Sequence, residues 1–482
     1  MTGTTLDWRN NLERWLKPFL DLLVDKRRRR MCPVYVSGLI GPGDRKSIQP
    51  MAERVAPGGY DQLHHFVSAG VWDPAAVETE LLVQADKLVG GRDAVLVIDD
   101  TTILKKGRHS VGVAPQYCST LGKIANCQTL VSLTLARGEV PVMLSLRLFL
   151  PESWTLDRSR LKRAGVPVEY RKSRTKAEIA LAEIDRVIAA GVRFGCVLAD
   201  AGYGPNIQFR NGLTARKLTW AVGIPCQIRV YAADVKMIWP VARRGAPRQY
   251  SVPETAAVAA EDMLAQATWQ TISWRTGTKG KLKARFAAVR VRVADGPRRG
   301  IRGKTRQCVP GEEVWLVGEH RASGEKKYYL ANLPEKTNLR TLAETIKGRW
   351  ICEQAHQQLK EELGLDHFEG RSWQGLHRHA LMTMIAYAFL QFRRLAAAKR
   401  KKKNQRPAAQ AKLARRTARH SRALRPTTAT TMPSLPKFAI QKAAAMNKFC
   451  QSSANHADSI TDWGASSQWL AALRNCDPAL VR

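Results

Sequence analysis

The sequence predicts a mixed α/β protein with a helical N-terminal region, a β-rich stretch past its middle and two helices beyond that stretch. Three observations predict this. Short, nearly continuous apolar runs at residues 94–98, 194–199 and 218–224 have the length and composition of strands covered on both faces. Amphipathic runs of helical period precede and separate them, and turn residues such as Gly41-Pro42-Gly43 and Arg137-Gly138 punctuate the pattern.

Residues 12–23 form an amphipathic run, followed by the basic cluster at 26–30 and by a second helical stretch carrying Leu63, Phe66 and Trp72. The run 94–98 ends in Asp99-Asp100 and reads as a buried strand with carboxylates at its C-terminal end. Residues 130–135 and 140–150 read as a hairpin. Thr175 and Glu178 then form a capping-box pair at the start of a helix whose face is Ala177, Leu181, Ile184 and Ile188, with Gly191 closing it. The next strand, 194–199, ends in Asp200, and 218–224 follows. From 226 to 332 the pattern is β-like, with runs at 286–293, 314–317 and 328–330. Helical character returns at 339–363 and, more apolar, at 381–395. Between Arg393 and Arg425 there are 14 Lys/Arg and no acidic residue; the remaining residues are rich in Ala, Ser and Thr, and no internal repeat occurs.

Composition narrows the function. With 78 Lys+Arg against 41 Asp+Glu the 482-residue chain carries +37, which points to a polyanionic partner, most simply nucleic acid. No run of 18 apolar residues suggests a membrane span, and the N-terminus lacks the basic-then-apolar pattern of a secretory signal. Nine scattered cysteines without a Cys-x-x-Cys pair fit a reducing cytosol and argue against a disulfide framework or a zinc finger.

Aspartates on two core strands are suited to place hard oxygen ligands for Mg²⁺ in a cleft, although strand-end turn residues give the same sequence. At about 100° per residue, Arg349, Glu353, His356 and Lys360 fall within about 60° of one another, with Ile351, Ala355 and Leu359 opposite. That is a carboxylate flanked by cations on one helix face, or a generic solvated face.

Arg349, Glu353 and Lys360 fit the R-(3)-E-(6)-K part of the signature of DDE-type bacterial insertion-sequence transposases. The surrounding Arg349-Trp350-Ile351-Cys352-Glu353-Gln354 and Lys360-Glu361-Glu362-Leu363-Gly364-Leu365-Asp366-His367-Phe368-Glu369-Gly370-Arg371 extend the match. Upstream, Asp99-Asp100-Thr101-Thr102 with Lys106-Gly107 and Ser110-Val111-Gly112-Val113, Ala199-Asp200-Ala201-Gly202-Tyr203-Gly204, Tyr329-Leu330-Ala331-Asn332-Leu333-Pro334 and Ser37-Gly38-Leu39 also resemble this family, in the right order across residues 30–395. The resemblance implies an RNase H-like mixed-sheet catalytic core (91–225 and 335–395) interrupted by a β-rich insertion domain (226–334); residues 1–90 are read as a helical N-terminal DNA-binding region and, from composition, 396–482 as a basic, flexible tail outside the resemblance. It implies Asp100, Asp200 and Glu353 as catalytic and metal-binding triad. The Asp-Thr-Thr match favours Asp100 over Asp99, and alternation along a strand lets only one of the two face the metals. Two Mg²⁺ ions, replaceable by Mn²⁺, would be bound, and Arg349, Lys360, His356, Lys105 and Lys106 would contact DNA. Partners would be double-stranded DNA (the element's terminal inverted repeats and the target) and a second copy of the chain on DNA, in a bacterial, nucleoid-associated cytoplasmic setting. Water would cut the element end and the freed 3′-hydroxyl would attack target DNA. One departure stands out: the fuller signature has Tyr three residues before the arginine, where this chain has Ile346. An RNase H-like nuclease that does not transpose, or an inactive transposase-derived repressor, shares most of these features.

Other signals point less far. Residues 38–47 resemble a phosphate-binding loop, but Asp44-Arg45 separate Gly43 from Lys46-Ser47. Cys352, His356, His367, His377 and His379 fit no common zinc spacing. Trp269 and Trp274, among basic residues, suit a sheet core better than base stacking. The basic tail is suited to phosphate contact or simply to solvation.

Overall fold

The computed structural model describes residues 3–119, 121–239, 250–277, 280–302 and 305–418. The N-terminal part is helical, with α1 (Gly3–Asp21), α2 (Lys26–Ile40), α3 (Ile48–Val55), α4 (Tyr60–His64) and α5 (Ala75–Val89). Asp25 caps α2 by accepting the Arg27 and Arg28 amides, which ends the first helix and starts the basic one. The loop at 41–47, set aside above as a phosphate-binding loop, serves this helix. Lys46 is buried, and its ammonium caps the end of α2 at the Gly41 carbonyl.

Strands β1 (Val95–Leu104), β2 (Ala114–Cys118), β3 (Lys123–Arg137) and β4 (Val140–Leu148) come next. Short helices α6 (Glu152–Thr155) and α7 (Arg158–Arg163) then lead to α8 (Lys176–Ala189), whose Thr175/Glu178 capping box is formed as expected. Its buried face is rotated from the expected one: Ile179, Ala180, Glu183 and Val187 join Ala177 and Ile184, while Ile188 is exposed. A buried carboxylate causes the rotation. Glu183 accepts from Ser145 Oγ at 2.6 Å and Arg147 Nε at 2.8 Å, Arg147 also pairs with Glu78 of α5, and Arg186 completes the cluster. Burial raises the Glu183 pKa, but Arg147 and Arg186 outweigh it and hold it at about 2.

Strand β5 (Cys196–Ala199), helix α9 (Ile207–Ala215) and strand β6 (Trp220–Ile224) follow. β1 pairs antiparallel with β3, β3 antiparallel with β4, β1 parallel with β5, and β5 parallel with β6. The order β4-β3-β1-β5-β6 is an RNase H-like mixed sheet, with an antiparallel meander on one side of β1 and crossover-connected parallel strands on the other.

The β-rich stretch contains β7 (Arg229–Ala232), β8 (Met237–Ile238), β9 (Val252–Pro253), β10 (Val258–Ala259), α10 (Ala260–Ala265), β11 (Gln270–Gly277), β12 (Gly280–Val293), β13 (Arg298–Arg302), β14 (Thr305–Cys308), β15 (Glu313–His320) and β16 (Lys326–Ala331). It continues the core sheet. β16 pairs with β6 from Tyr328↔Ile224 to Ala331↔Ala221, so the free edge of β6 is covered and a 12-stranded sheet results. Trp274 meets Phe286 edge-on at 5.8 Å and Trp269 lies against Gly318, both as sheet packing.

The expected helix at 339–363 is divided into α11 (Leu339–Lys347), α12 (Trp350–Gln357) and a π-helical turn over Gln358–Glu362, with the break at Gly348. Ile346, Ile351 and Cys352 pack on Val97 and Leu198, which seats both helices on the sheet beside β1 and β5. The last helix, α13, runs over Trp373–Ala418, well beyond the expected 381–395. Its residues through Phe392 lie in the compact unit that begins at Met1, where Tyr35 and His379 are hydrogen-bonded at 2.8 Å. From Arg393 a second unit begins, helical through Ala418; the rest of the basic tail, 419–482, lies outside the described residues. Among the described residues no helix is long and apolar enough to cross a membrane.

Replacing Arg147 with Met would leave buried Glu78 and Glu183 with Arg186 as the one cation between them, at a cost of about 3 kcal/mol. Chemical denaturation should show that loss, together with loosening of α8.

Candidate active site

Asp99 and Asp100 lie within β1, not at its end. Thr101, Thr102 and Ile103 are β-branched, and all ten residues of the strand pair with β3, from Val95↔Ala136 to Leu104↔Cys127. Strand alternation sends the two carboxylates to opposite faces. Asp99 is 8% exposed and points at α12, where its Oδ2 accepts from Arg349 Nη1 at 2.6 Å and from the Cys352 thiol at 3.0 Å. Asp100 accepts from the Tyr203 hydroxyl at 2.6 Å and from Lys176 Nζ of α8 at 2.5 Å.

Asp200 follows β5 directly, on the loop that leads to α9, and its Oδ1 accepts the Gly202 amide at 2.9 Å. This loop lies so close to β6 that a Cβ on Gly204 would meet the Gly223 carbonyl oxygen at 1.8 Å. Only glycine at 204 lets the chain turn there. Burial, then the negative charges of Asp99 and Asp100, push the Asp200 pKa up to about 6, with Arg349 opposing.

Glu353 reaches the same region from α12, with Arg349 one helical turn before it and Arg349 Nη2 donating to its Oε1 at 2.6 Å. Arg349 therefore spans Asp99 and Glu353. Burial alone would lower its pKa, but Asp99, Cys352 and Glu353 outweigh that and keep it charged.

Two expected DNA contacts need correction or refinement. His356 is not on a cationic stripe. It is buried, its Nε2 is 2.8 Å from Ser132 Oγ of β3, and burial drives its pKa to about 3, so the ring is neutral near pH 7. The projection failed because Cys352 and His356 share the buried face with Ile351 and Ala355, and because the π-turn at 358–362 shifts the residues after it. Lys360 lies in that turn and is partly buried; burial lowers its pKa, against Asp366. Lys105 donates to the Phe368 carbonyl at 2.5 Å, and Lys106 is exposed.

Four residues of this site had no role assigned from sequence: Tyr203, Lys176, Cys352 and Ser132. Tyr203 and Cys352 sit inside the motifs around Asp200 and Glu353, which was their only signal. Lys176 and Ser132 had none, because only the tertiary fold brings α8 and β3 to β1. The histidines considered for zinc take structural roles: His367 Nδ1 accepts the Lys46 amide at 3.0 Å, His377 Nδ1 meets the Trp373 carbonyl at 2.9 Å, and His379 sits between Tyr35 and Gly364.

A family model described as DDE superfamily endonuclease matches residues 18–281, more than half of the chain and including both strand aspartates. The chain belongs to this DDE family. Over 169 residues it is 31% identical to the "Probable transposase for insertion sequence element IS701" of Microchaete diplosiphon, a match that covers 35% of this chain and 41% of that relative. The chain thus spans under half the length of this relative. A cryo-EM structure of a piggyBac transposase synaptic complex with hairpin DNA aligns over 80% of this chain and 71% of its own, at 10% identity and a TM-score of 0.37.

As members of the DDE family are endonucleases by description, the donor set bears on a metal. Asp100, Asp200 and Glu353 offer hard carboxylate oxygens, the type that Mg²⁺ takes, and burial, followed by the charges of Asp99 and Asp100, raises the Asp200 pKa. Among the described residues no three such ligands are already gathered on one point; Lys176 and Arg349 hold Asp100 and Glu353. Because a ligating Asp200 must be ionised, divalent-ion affinity should fall about tenfold per pH unit below about 6. In metal-free protein the sign is opposite: stability contributed by protonated Asp200 is full below about 3.9 and is lost as pH rises through about 6. Calorimetric titration with Mn²⁺ at pH 5–8 and melts of Asp200→Asn, expected to be the more stable protein at pH 8, check both.

Proposed function

We propose that this protein is a DDE transposase that cuts DNA at the ends of an insertion element and joins those ends to target DNA. The observation that carries the reading is membership of the DDE endonuclease family in a chain whose mixed sheet carries aspartates on β1 and directly after β5 and a glutamate on α12; Asp99, on the α12 side of β1, is tied through Arg349 to Glu353, while Asp100 faces Tyr203 and Lys176. The charge of +37 supports double-stranded DNA as partner, and two ends to be joined call for a second copy of the chain on DNA.

In this reading Asp100, Asp200 and Glu353 hold two Mg²⁺ ions, with Mn²⁺ as substitute. Bound there, the ions supply Lewis-acid stabilisation of the attacking and leaving oxygens of the phosphodiester. The protein's own groups do the rest. Tyr203 fixes the Asp100 carboxylate by donating to Oδ1, and Asp99 holds Arg349, which sets Glu353. Arg349, Lys360, Lys105 and Lys106 meet DNA phosphates, whereas neutral His356 braces α12 against β3. Water adds at phosphorus, the P–O3′ bond breaks, and the element end leaves as a 3′-hydroxyl. That hydroxyl then attacks a target phosphodiester at the same site and releases a target 3′-hydroxyl. The setting is the bacterial cytoplasm, at the nucleoid.

The deciding assay is Mg²⁺-dependent cleavage of a DNA fragment carrying the repeats that flank the gene, beside Glu353→Gln. Cleavage at the repeat boundary that vanishes in the variant supports the reading. Cutting that ignores the repeats would make the protein a general nuclease, and binding without cutting a repressor.

Asp99→Asn tests the clamp. Removing the charge that anchors Arg349 should weaken divalent-ion affinity about 10–100-fold, the usual cost of losing a group that orients a ligand, while DNA binding persists. Unchanged ion affinity in calorimetry would remove Asp99 from this role.

A further inference from the structure

The β2–β3 hairpin has no part in the site described above, yet it exposes three large apolar side chains within eight residues. Tyr117 is 65% exposed, Leu121 44% and Ile124 70%, and Tyr117 and Ile124 are direct cross-strand partners. The hairpin is not loose at its base. Gln116 Nε2 donates to the Cys127 carbonyl at 2.9 Å, Gln116 Oε1 accepts from Thr129 Oγ1 at 3.0 Å, and Asn126 Nδ2 donates to the Lys105 carbonyl at 2.7 Å. These bonds commit the side chains that could otherwise let the strands slide, so the apolar end is held in one register.

Its position and charge indicate what it meets. The Cys118 thiol lies 3.2 Å from the hydroxyl of Thr102, two residues beyond Asp100 on the catalytic strand. Lys106, Arg108 and Lys123 are exposed on the same stretch of chain, and residues 101–138 contain no acidic side chain. An apolar tip on a stretch of chain that carries exposed cations and no acidic side chain, with Asp366 and Glu369 acting on Lys105 at its base, suits a ligand with a polyanionic rim and an apolar interior, which describes duplex DNA opened at a base step. Another protein surface would have to bring its own acidic rim.

We propose that this hairpin is a DNA wedge: Tyr117, Leu121 and Ile124 enter the stack beside the scissile phosphate while Lys106, Arg108 and Lys123 hold the flanking phosphates. The inference rests on the transposase reading and names a part of the DNA that its carboxylates do not touch. Aromatic and aliphatic wedges unstack base steps, and an opened end is more readily led into a deep carboxylate site.

The test uses the full-length protein and repeat-end DNA carrying 2-aminopurine at the terminal base steps, whose fluorescence rises on unstacking. A Tyr117→Ser, Leu121→Ser, Ile124→Ser protein should bind ends within about threefold of wild type, lose the fluorescence rise, and cut intact ends about tenfold more slowly. Ends premelted by mismatches should restore its cutting rate. Lys106→Ala with Lys123→Ala should instead weaken binding while keeping the rise per bound complex. All substituted positions are at the surface, and a thermal melt checks folding. A triple variant that keeps the fluorescence rise overturns the wedge, as does one that loses only dimerisation on DNA by light scattering, which would make the patch a protein interface. If wild-type protein binds and cuts repeat ends, the transposase reading stands whichever way the wedge is decided; if it ignores them, that reading falls first and takes the wedge with it.

Discussion

Carboxylates set in the middle of a sheet need cations beside them. Asp99 and Asp100 point to opposite faces of β1, Asp200 lies on the loop after β5 and Glu353 on α12; burial first, and then the charges of Asp99 and Asp100, raise the Asp200 pKa to about 6. Arg349 bridges Asp99 and Glu353, and Lys176 pairs with Asp100. Much else follows from keeping those two cations in place. Gly348 ends α11 so that Arg349 stands at the start of α12, and the buried cluster of Glu78, Arg147, Glu183 and Arg186 fixes α8, from which Lys176 projects.

The sheet supplies the rigidity this requires. β1 has hydrogen-bonded neighbours along both edges, β3 antiparallel and β5 parallel, so Asp99 and Asp100 cannot shift along the strand without breaking both pairings. Continuation of the sheet past β6 extends the same constraint outward. The fully buried Glu319 of β15 accepts from Lys347 Nζ of α11 at 2.7 Å and from the Tyr329 hydroxyl of β16 at 2.8 Å. The β-rich insertion thereby grips the helix that precedes Arg349.

Much of this was legible in the sequence wherever local pattern and tertiary role coincide. The strands at 95–104, 196–199 and 220–224, the capping box at Thr175 and the three carboxylates all carry their own signals. Legibility failed where a contact depends on the third dimension. Nothing in the run around Glu183 distinguishes a buried carboxylate from a solvated one until Arg147 and Ser145 arrive from β4. His356 read as a cation because helical projection cannot tell which side meets β3, and the π-turn at 358–362 breaks the period on which projection relies. Asp99 and Asp100 read as the end of a strand because charged residues seldom occupy a buried one; here Arg349 and Cys352 make the exception possible.

Arg349 also resolves an apparent conflict between two roles. The family resemblance gives it a contact with DNA, while the geometry makes it an internal clamp. A guanidinium has five donors, and the bonds to Asp99 and Glu353 draw on one terminal nitrogen each. With its side chain 23% exposed, Arg349 can meet a phosphate without letting go of either carboxylate. A lysine could not, because a single ammonium lacks the fixed fork that spans three anions. Ile346 fits the same picture. Where the fuller signature has tyrosine, this chain has an aliphatic residue packed in the same buried cluster as Leu198.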